Sequence, residues 1–445
     1  MKDFIANIKQ IVDPLDETAE PNVYDARKIV YELNRFLYTN REGIGTTWAL
    51  EAEREYFSDF HKYWEAHYRE ILDPTVDDVQ CEIVADALHD VFEMSPEAFT
   101  ELYDTCGLSK EDVCRVRFFS APQDFRGSRE FSKLAKIFKS DPSVFSCQRI
   151  FDDPEGFLSD IKVTGLSQND KRVKYAKSCA NFLLDKGIEP HQMLDYYDGD
   201  LVKLRDALTG TVGMGFGNKK TDMFLRDMAV HEVWTDYLNF DRLDVASDIN
   251  TMKVALRTGI LETAIPLVSS FIDIFCHQYV YMDEMNAVAW RRVWEIWSAK
   301  HPGECVTSPC MIDYFVYRVI GRECCGDKFS LYRGLECGHE FYWHSGRNRT
   351  CQVCYAETGE RKPAKRIGTA YPCMCEDEKL FYAQKIAKDY PYLRGLEGCP
   401  FSKACKPKES DFVMLQPPKS ISILGRTGWT SAYAREGEGG GGLQA

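Results

Sequence analysis

Apolar side chains recur at helical spacing along most of this chain, and the pattern changes three times. Residues 1–75 read as an acidic helical extension, and from residue 76 to about 300 the helical spacing continues with almost no strand signal. Beyond residue 301 cysteine, glycine and aromatic residues predominate, which predicts a metal-held module over 301–415. The tail, 416–445, ends in a glycine run and is predicted to be largely disordered at its end. The fold class predicted is all-α.

The net charge of −14 lies in the first quarter of the chain. Residues 1–110 contain 24 acidic and 10 basic side chains, so the remainder is neutral on average. Because binding to DNA depends on neutralising phosphates, local basic faces matter more than the total charge. Two basic clusters at helical spacing would serve either as solvated faces or as phosphate contacts: Arg126, Arg129, Lys133, Lys136 and Lys139, and Lys171, Arg172, Lys174 and Lys177.

Targeting signals are missing from the sequence pattern. The N-terminal residues have no apolar core of signal-peptide length, and no later segment keeps 18 or more apolar residues free of charge. We therefore expect a cytoplasmic, nucleoid-associated protein that does not enter a membrane and acts as a monomer. Eleven of the 17 cysteines fall between Cys305 and Cys405, several in close pairs, which favours metal ligation over disulfides. The six earlier cysteines are scattered and are interpreted as buried thiols.

A glycine-rich turn is the most informative segment. Gly213, Gly215 and Gly217 alternate, and a helix is predicted to begin directly after them. Such a turn lets backbone N–H groups at a helix N-terminus approach a phosphate without obstruction by side chains. We expect these glycines, together with Asn218 and Lys220, to contact DNA.

Two other interpretations of this turn remain open. A nucleotide phosphate loop needs glycine directly before its Lys-Thr pair and a buried strand upstream. Here Lys219 precedes Lys220 and Thr221, and residues 201–208 have the pattern of an amphipathic helix. A purely structural turn is the second alternative.

The segment Gly215-Phe-Gly217-Asn-Lys219 with Asp222 resembles the hairpin of the helix-hairpin-helix DNA glycosylase superfamily (HhH-GPD), which includes relatives of endonuclease III, the adenine glycosylase of mismatch repair and the 8-oxoguanine glycosylases. Their hairpin reads Gly-x-Gly-x-Lys, followed three residues later by Asn or Asp. The resemblance implies a two-lobed helical core that holds DNA and a flipped base between its lobes. It also implies that Lys219, rather than Lys220, is the nucleophilic lysine.

The second half of the family's signature is a catalytic aspartate that opens the next helix. Asp248 fits this position, with Lys253 five residues on and Val254 after it, although Asn250 stands where the family usually has histidine. The interval between Lys219 and Asp248 is longer than in compact members and resembles that of the archaeal 8-oxoguanine DNA glycosylase. The alternative role for Asp248 is a helix N-cap, which is compatible with catalysis because a capping carboxylate lies ionised at the positive end of a helix.

These two residue types match the chemistry of base removal. Cleavage of the glycosidic bond builds positive charge on the sugar, which a nearby carboxylate stabilises. A neutral amine that attacks C1′ forms a Schiff base and permits later strand scission. If Lys219 only contacts phosphate, the enzyme would instead be monofunctional, with Asp248 assisting water. The aromatic residues Trp234, Tyr237 and Phe240 would belong either to the base pocket or to the core.

A further resemblance concerns the cysteine-rich module. The segment from Pro309 to Cys324 looks like the helix that leads to the iron–sulfur loop of endonuclease III relatives, and the segment from Cys399-Pro400 to Cys405 looks like the end of that loop. Of the family's intervals between ligand cysteines, only the last is retained here, with five residues between Cys399 and Cys405. The resemblance implies a [4Fe–4S] cluster. The predicted ligands are Cys324, Cys375, Cys399 and Cys405, with Cys325 and Cys373 as substitutes.

The insertion between these segments carries a separate metal pattern. A Cys-x-His pair, Cys337 and His339, precedes a Cys-x2-Cys knuckle, Cys351 and Cys354. This combination predicts a zinc ribbon or treble-clef site with Zn²⁺ bound by sulfur and nitrogen. In alternative ligand sets, His344 takes the place of His339, or Cys373 takes the place of either histidine. Another alternative is that all eleven late cysteines serve one larger zinc structure. The arginines and lysines around the knuckle would allow the module to bind DNA. The alternative is that the module is wholly structural.

The sequence therefore predicts a DNA glycosylase that flips a damaged or modified base out of double-stranded DNA and cleaves its N-glycosidic bond, with AP lyase activity if Lys219 is the nucleophile. The base would be an oxidised base or a hypermodified pyrimidine of viral DNA, which would make the protein a repair or an antiviral defence enzyme. A non-catalytic, metal-containing DNA-binding protein is the alternative.

Overall fold

The computed structural model describes most of the chain. The described residues are 2–13, 67, 69–125, 129–165, 168–264, 277–324, 329–343, 349–370, 399–401 and 403–405. The predictions for 14–66 and for the tail at 416–445 lie outside them.

The helices and strands follow one another in the order in which they are numbered. They are α1 (Lys2–Val12), β1 (Thr75–Val76), α2 (Asp78–Met94), α3 (Lys110–Ser120), α4 (Phe131–Ser140), α5 (Cys147–Asp152), α6 (Pro154–Asp160), α7 (Asn169–Lys186), α8 (Met193–Tyr196), α9 (Leu201–Gly210), α10 (Asn218–Val230), α11 (Ile249–Thr258), β2 (Leu261–Glu262), α12 (His277–Lys300), α13 (Ile312–Tyr314), which continues as a π-helix (Phe315–Cys324), β3 (Phe329–Gly334), β4 (Glu340–Trp343), α14 (Gln352–Thr358) and β5 (Ala364–Ala370). Short 3₁₀ turns connect several of them, including Ala121–Gln123 after α3.

Helix predominates among the described residues, which confirms the all-α prediction at that level. The strands form two small antiparallel sheets: β1 pairs with β2, and a three-stranded sheet has the order β4-β3-β5. None of the described helices is long and apolar enough to cross a membrane.

Several helix starts coincide with residues whose side chains accept backbone hydrogen bonds. Ser109 accepts from Asp112 N before α3, and Asp200 accepts from Val202 N and Lys203 N before α9. The first four N–H groups of a helix have no partner within it, so each cap stabilises its helix by ~1 kcal/mol. Capping therefore fixes where the helical pattern of the sequence begins.

The chain forms two compact units, each assembled from separate segments. The first contains residues 1–94, 248–300 and 316–445, and the second contains 95–247 and 301–315. The sequence-based boundaries at 75, 300 and 415 stay predictions.

In the first unit, α2 packs along α12. Trp290 and Trp297 of α12 are fully buried, and the indole of Trp297 donates to Nδ1 of His89 at 3.4 Å. Exposed ion pairs flank this contact, including the bidentate pair between Arg292 and Asp78 with both distances at 2.8 Å. Aromatic burial therefore holds the two helices together, since exposed pairs contribute little.

The second unit is built around a phenylalanine-rich core. Phe118 of α3 stacks on Phe216 at 5.4 Å between ring centroids and meets the edge of Phe224 of α10 at 5.8 Å. Cys114 and Cys179 are buried in the same cluster, as predicted for the early cysteines. Cys106 is only half-buried, which corrects the prediction for that thiol, and Cys276 lies outside the described residues. This core fixes α10, the helix that follows the glycine turn, against α3.

A buried charge network lies beside this core. Asp227 of α10 accepts from Arg117 Nε at 2.7 Å and from Arg226 Nη2 at 2.6 Å. Arg226 also pairs with Asp313, and Tyr103 donates to Asp227 at 3.4 Å. The network joins α10 to the segment 301–315 within the second unit.

Candidate functional site

The predicted hairpin is present as helix, glycine turn and helix in the second unit. Helix α9 ends at Gly210 and α10 begins at Asn218, with Gly217 as its N-cap. Because α9 rather than a strand precedes the turn, the nucleotide phosphate loop does not apply to this segment.

Two of the glycines are required by the shape of the turn. Gly213 has φ +90° and Gly215 has φ +76°, a region that side-chain-bearing residues rarely adopt. An ideal Cβ at Gly215 would lie 2.5 Å from Cδ2 of Tyr175 in α7, and one at Gly213 would lie 2.9 Å from Cε of Lys174. The turn is therefore pressed against α7, and these glycines serve the fold whatever else the turn does.

Gly217 differs from the other two. Its φ of −96° and ψ of 175° are accessible to any residue, and no atom lies within 4 Å of an ideal Cβ. Gly217 and Asn218 are exposed, so the N-terminus of α10 faces open space. Free N–H groups at such an end attract anions through the helix dipole.

The two lysines of α10 have different environments. Lys219 is half-buried. Lys220 donates from Nζ to the carbonyl of Pro122 at 2.8 Å, and its amine lies 4.7 Å from the ring centroid of Phe125 and 5.8 Å from that of Tyr175. Burial lowers the pKa of Lys220 to about 8, although the carboxylate of Asp124 opposes the shift. The amine of Lys220 thus binds a carbonyl inside its own unit, and its predicted contact with DNA stays a prediction.

Sequence reasoning assigned Lys220 to DNA because it follows the turn. The buried partner, the carbonyl of Pro122 in the 3₁₀ turn after α3, lies 98 positions earlier. Arg172 of α7 reinforces the same segment by donating to the carbonyls of Gln123 and Phe125, both at 2.5 Å. No sequence signal marks this pair of cations beyond the C-terminal end of α3, where positive charge interacts favourably with the helix dipole.

The lowered pKa of Lys220 predicts a pH dependence of stability. Its pKa is about 8 in the folded protein against 10.5 ordinarily, so the unfolded chain holds more protons between these values and stability rises with pH across that window. At about 1.4 kcal/mol per pKa unit, the full effect is roughly 3 kcal/mol. Urea unfolding of the wild type and of Lys220→Met at pH 7.5 to 10 tests it: the wild type should gain relative to the variant as pH rises. A constant difference between the two would contradict the shift.

Asp248 is the N-cap of α11 in the first unit, as the alternative role predicted. It is 7 % exposed, and its Oδ1 accepts from the backbone N–H of Asn250 at 2.7 Å and of Thr251 at 2.9 Å. The hydroxyl of Thr251 accepts from Asp248 N at 2.9 Å, which completes a capping box. The side chain of Asn250 donates to Oδ2 at 3.2 Å. Asn250, which stands where the resemblance expects histidine, therefore orients the carboxylate.

Buried contacts from α12 hold the start of α11. The amide of Asn286 donates to the Thr251 hydroxyl at 3.1 Å, and the Trp290 indole donates to the Thr251 carbonyl at 3.3 Å. Trp290 also packs on Phe401 at 6.3 Å between centroids, and Phe401 lies between the Cys-Pro segment and Cys405. A continuous chain of contacts thus runs from the Asp248 cap to the C-terminal cysteine loop within the first unit.

Lys219 lies in the second unit and Asp248 in the first, so their predicted convergence on one nucleotide stays a prediction. The aromatic residues before Asp248 are core residues. Trp234 and Phe240 are 5 % and 6 % exposed, and Tyr237 packs against the same core. Burial of their rings stabilises the second unit, which is the core alternative stated for them.

Four side chains of the cysteine-rich module form a cluster that could hold a metal ion. Cys337 and His339 lie in the turn between β3 and β4, Cys351 is the N-cap of α14, and Cys354 lies in its first turn. Their donor atoms all lie within 4.8 Å of one another, with 3.5 Å between the sulfurs of Cys337 and Cys351 and 3.5 Å from Cys354 Sγ to His339 Nδ1. A tetrahedral zinc site with bonds of about 2.3 Å to sulfur and 2.0 Å to nitrogen needs roughly these separations.

The backbone around this cluster is arranged for thiolates. The backbone N–H of His339 donates to Cys337 and lowers the pKa of that thiol. Gly334, at the end of β3, approaches so closely that an ideal Cβ would collide with Cys337 Sγ and lie 3.4 Å from Cys351 Sγ. Cys351 and Cys354 are buried against Tyr332 and Phe341 in a small separate core. The local sheet and helix therefore bring together four ligands that the sequence spreads over 18 residues.

The proposed iron–sulfur ligands are described only in part. Cys399 and Cys405 are half-buried and flank the turn in which Cys405 N donates to Phe401 O at 2.9 Å. Cys324 ends the π-helix, and its side chain lies outside the described part, as do Cys325, Cys373, Cys375 and His344. The [4Fe–4S] prediction and the larger zinc structure stay predictions.

No protein-family model matches the sequence, and no curated protein matches it.

Proposed function

We propose that this protein is a DNA glycosylase that binds duplex DNA at the N-terminus of α10 and removes a flipped, modified base. The observation that carries the proposal is the open helix end at Gly217, with Lys219 in the first turn of the helix, in a hairpin that packs against the core of the second unit. The buried carboxylate of Asp248, oriented by three hydrogen bonds, supports the same chemistry.

In the proposed reaction the Nζ lone pair of Lys219 attacks C1′ of the extruded nucleotide. The bond from C1′ to the base breaks, and the base leaves with the bonding pair and takes up a proton. The carboxylate of Asp248 stabilises the positive charge that develops on the sugar. The C1′–O4′ bond then breaks, O4′ takes up the second proton of the amine, and a C=N bond forms between Lys219 and C1′. This Schiff base permits strand scission by elimination. With Lys219 only a phosphate contact, water assisted by Asp248 would release the base without scission.

A panel of duplexes, each carrying one modified base, tests this function. The panel includes oxidised guanine, oxidised pyrimidines, mispaired adenine, methylated bases and viral DNA with substituted cytosines, and released bases are measured by mass spectrometry. Borohydride added during the reaction should trap a covalent protein–DNA adduct on the correct duplex. Release of oxidised guanine alone would contradict a role in antiviral defence and would support a role in DNA repair.

The glycines provide a matched pair of variants that separates a DNA grip from a structural turn. Gly217→Ala should leave the midpoint of thermal unfolding within about 2 °C of wild type, because its backbone angles are ordinary and its Cβ meets open space. It should nevertheless weaken DNA binding about tenfold, because the methyl group obstructs the approach of a phosphate to the helix end.

Gly215→Ala should instead lower stability by about 1–3 kcal/mol through its positive φ and the collision with Tyr175. Fluorescence anisotropy with labelled duplex and thermal unfolding measure the two effects. Wild-type DNA affinity in Gly217→Ala would favour the purely structural turn.

For the metal we propose Zn²⁺ at Cys337, His339, Cys351 and Cys354, and a [4Fe–4S] cluster in the C-terminal cysteine loop. The four clustered ligands support zinc through their donor set and spacing. Purified protein should contain about one zinc per chain, Cys351→Ser should lose most of it, and Cys106→Ser, which changes a thiol outside the cluster, should retain it. Elemental analysis measures both. Zinc retained in Cys351→Ser would contradict the site, and a colourless protein that contains only zinc would remove the iron–sulfur cluster.

The alternative is a non-catalytic DNA-binding protein that keeps the hairpin and the metal site. One observation favours it: both carboxylate oxygens of Asp248 already accept hydrogen bonds within α11, Oδ1 from the two backbone N–H groups that it caps and Oδ2 from the side chain of Asn250. Specific DNA binding without base release on any duplex of the panel would support this alternative.

A further inference from the structure

The second unit carries a basic pocket that the hairpin does not include. Its open volume is about 590 Å³, and it is lined by α4, the 3₁₀ turn that follows it and the turn after α6. Four cationic side chains surround it: Arg129, Lys133, Lys136 and Lys162. Below them lie Ile137, which is half-buried, and Val144 and Ile161, which are buried. The pocket thus combines an apolar floor with a cationic rim.

The two carboxylates of the lining share one arginine, and four cations of the lining outnumber them. Asp141 and Asp160 both bind Arg149, at 3.1 Å and 2.8 Å. Lys133 pairs with Glu130 at 3.1 Å. Within the part of the chain that the structure describes, Lys136 and Lys162 have no carboxylate within ion-pair distance. The pocket therefore presents net positive charge although the whole chain carries −14.

The backbone of the pocket is held in place. The guanidinium of Arg129 donates to the carbonyl of Lys162, with 2.8 Å from Nε, which joins the start of α4 to the turn after α6. The side chain of Arg129 is thereby fixed at the rim. A rim whose cations are partly ordered beforehand loses less side-chain entropy when it binds an anion.

The pocket begins a few residues after a side chain that contacts α10. Phe125, whose ring packs on the amine of Lys220 in α10, is four residues before Arg129. Four residues span at most about 14 Å. Along one DNA strand, where phosphates follow every 3.4 Å of helix axis, this distance corresponds to about four phosphates. The pocket and the hairpin both belong to the second unit, so the distance between them involves that unit alone.

We propose that this pocket binds phosphates of the DNA strand that flank the nucleotide held at α10. The inference rests on the proposed function and adds to it a second, sequence-independent phosphate contact. The openness of the pocket and its exposed lysines suit a polymer that passes across it, and the cations would set the register of the duplex without reading bases. A free nucleotide offers the same phosphate chemistry and is the other source that the experiment separates.

The test compares the salt dependence of DNA binding in two double variants. Lys136→Gln/Lys162→Gln removes two rim charges, and Lys110→Gln/Lys203→Gln removes two exposed charges of the same unit outside the pocket. All four side chains are exposed, and both proteins should unfold at the wild-type temperature. Affinity for a labelled duplex is measured by anisotropy from 50 to 200 mM salt, conditions in which the slope of log K against log salt changes by about 0.9 per phosphate contact.

In the pocket variant the magnitude of this slope should fall by between one and two. The control variant should keep the wild-type slope. An unchanged slope in the pocket variant, with wild-type DNA binding intact, overturns the pocket and leaves the glycosylase proposal standing. Absence of DNA binding in the wild type removes both. Titration with thymidine monophosphate and with inorganic phosphate forms the second arm: saturable binding that only the pocket variant loses, with an unchanged DNA slope, would assign the pocket to a free nucleotide and overturn the DNA contact.

Discussion

Replacement of Lys219 by glutamine is expected to reduce borohydride trapping to background. The trapped adduct requires an amine bonded to C1′, and glutamine, which is one atom shorter than lysine, keeps a polar side chain of similar helix propensity while removing the nucleophile. Asp248→Asn is expected to slow base release by about 10²- to 10³-fold, because a neutral amide no longer stabilises the charge on the sugar. Single-turnover kinetics on the duplex identified by the panel measure both effects.

The fold of both variants should survive. Asparagine is as good an N-cap as aspartate, so Asp248→Asn retains the acceptor for Asn250 N and Thr251 N. Lys203→Gln is the matched lysine control, since Lys203 is exposed and pairs only with the neighbouring Asp198 at 2.7 Å among the contacts described for it. It should trap like wild type.

The outcomes of these variants distinguish the mechanisms. Loss of trapping in Lys219→Gln with base release retained would make the enzyme monofunctional and leave Asp248 as the group that assists water. Full base release in both variants would end the catalytic assignment of these two residues. Trapping that persists in Lys219→Gln and disappears in Lys220→Gln would move the nucleophile to the neighbouring lysine.

Disruption of the buried charge network should cause the largest loss of stability. Burial raises the pKa of Asp227, but Arg226 and Arg117 outweigh this effect and hold its pKa below the ordinary value. Arg226→Met would leave Asp313 without this cation and Asp227 with Arg117 and the hydroxyl of Tyr103. Removal of one partner from a buried ion pair typically costs about 3–5 kcal/mol. Urea unfolding at pH 7 measures the loss.

Two further variants show whether charge burial causes this effect. Arg226→Met/Asp313→Leu should recover part of the loss, because both ends of that pair become apolar. Lys203→Met breaks an exposed pair and should cost less than about 1 kcal/mol. A loss in Arg226→Met no larger than in Lys203→Met would show that the network contributes little.

The sequence by itself determined the local features of this protein. The apolar periodicity of residues 201–208, the alternating glycines and the capping character of Asp248 placed α9, the turn, α10 and the start of α11 correctly. The Cys-x-His and Cys-x2-Cys spacing identified the four side chains that cluster in the module. Such features depend on backbone angles, caps and short loops, which are encoded within a few residues.

Only the tertiary structure decided what lies far apart in sequence. It showed that Lys220 binds the carbonyl of Pro122 and that Trp234 and Phe240 are core residues. It also showed that each unit is assembled from separate segments and that both carboxylates in the lining of the basic pocket bind Arg149. The physical reason is that burial, and with it the pKa and the available partners of a charged group, depends on neighbours that packing brings together.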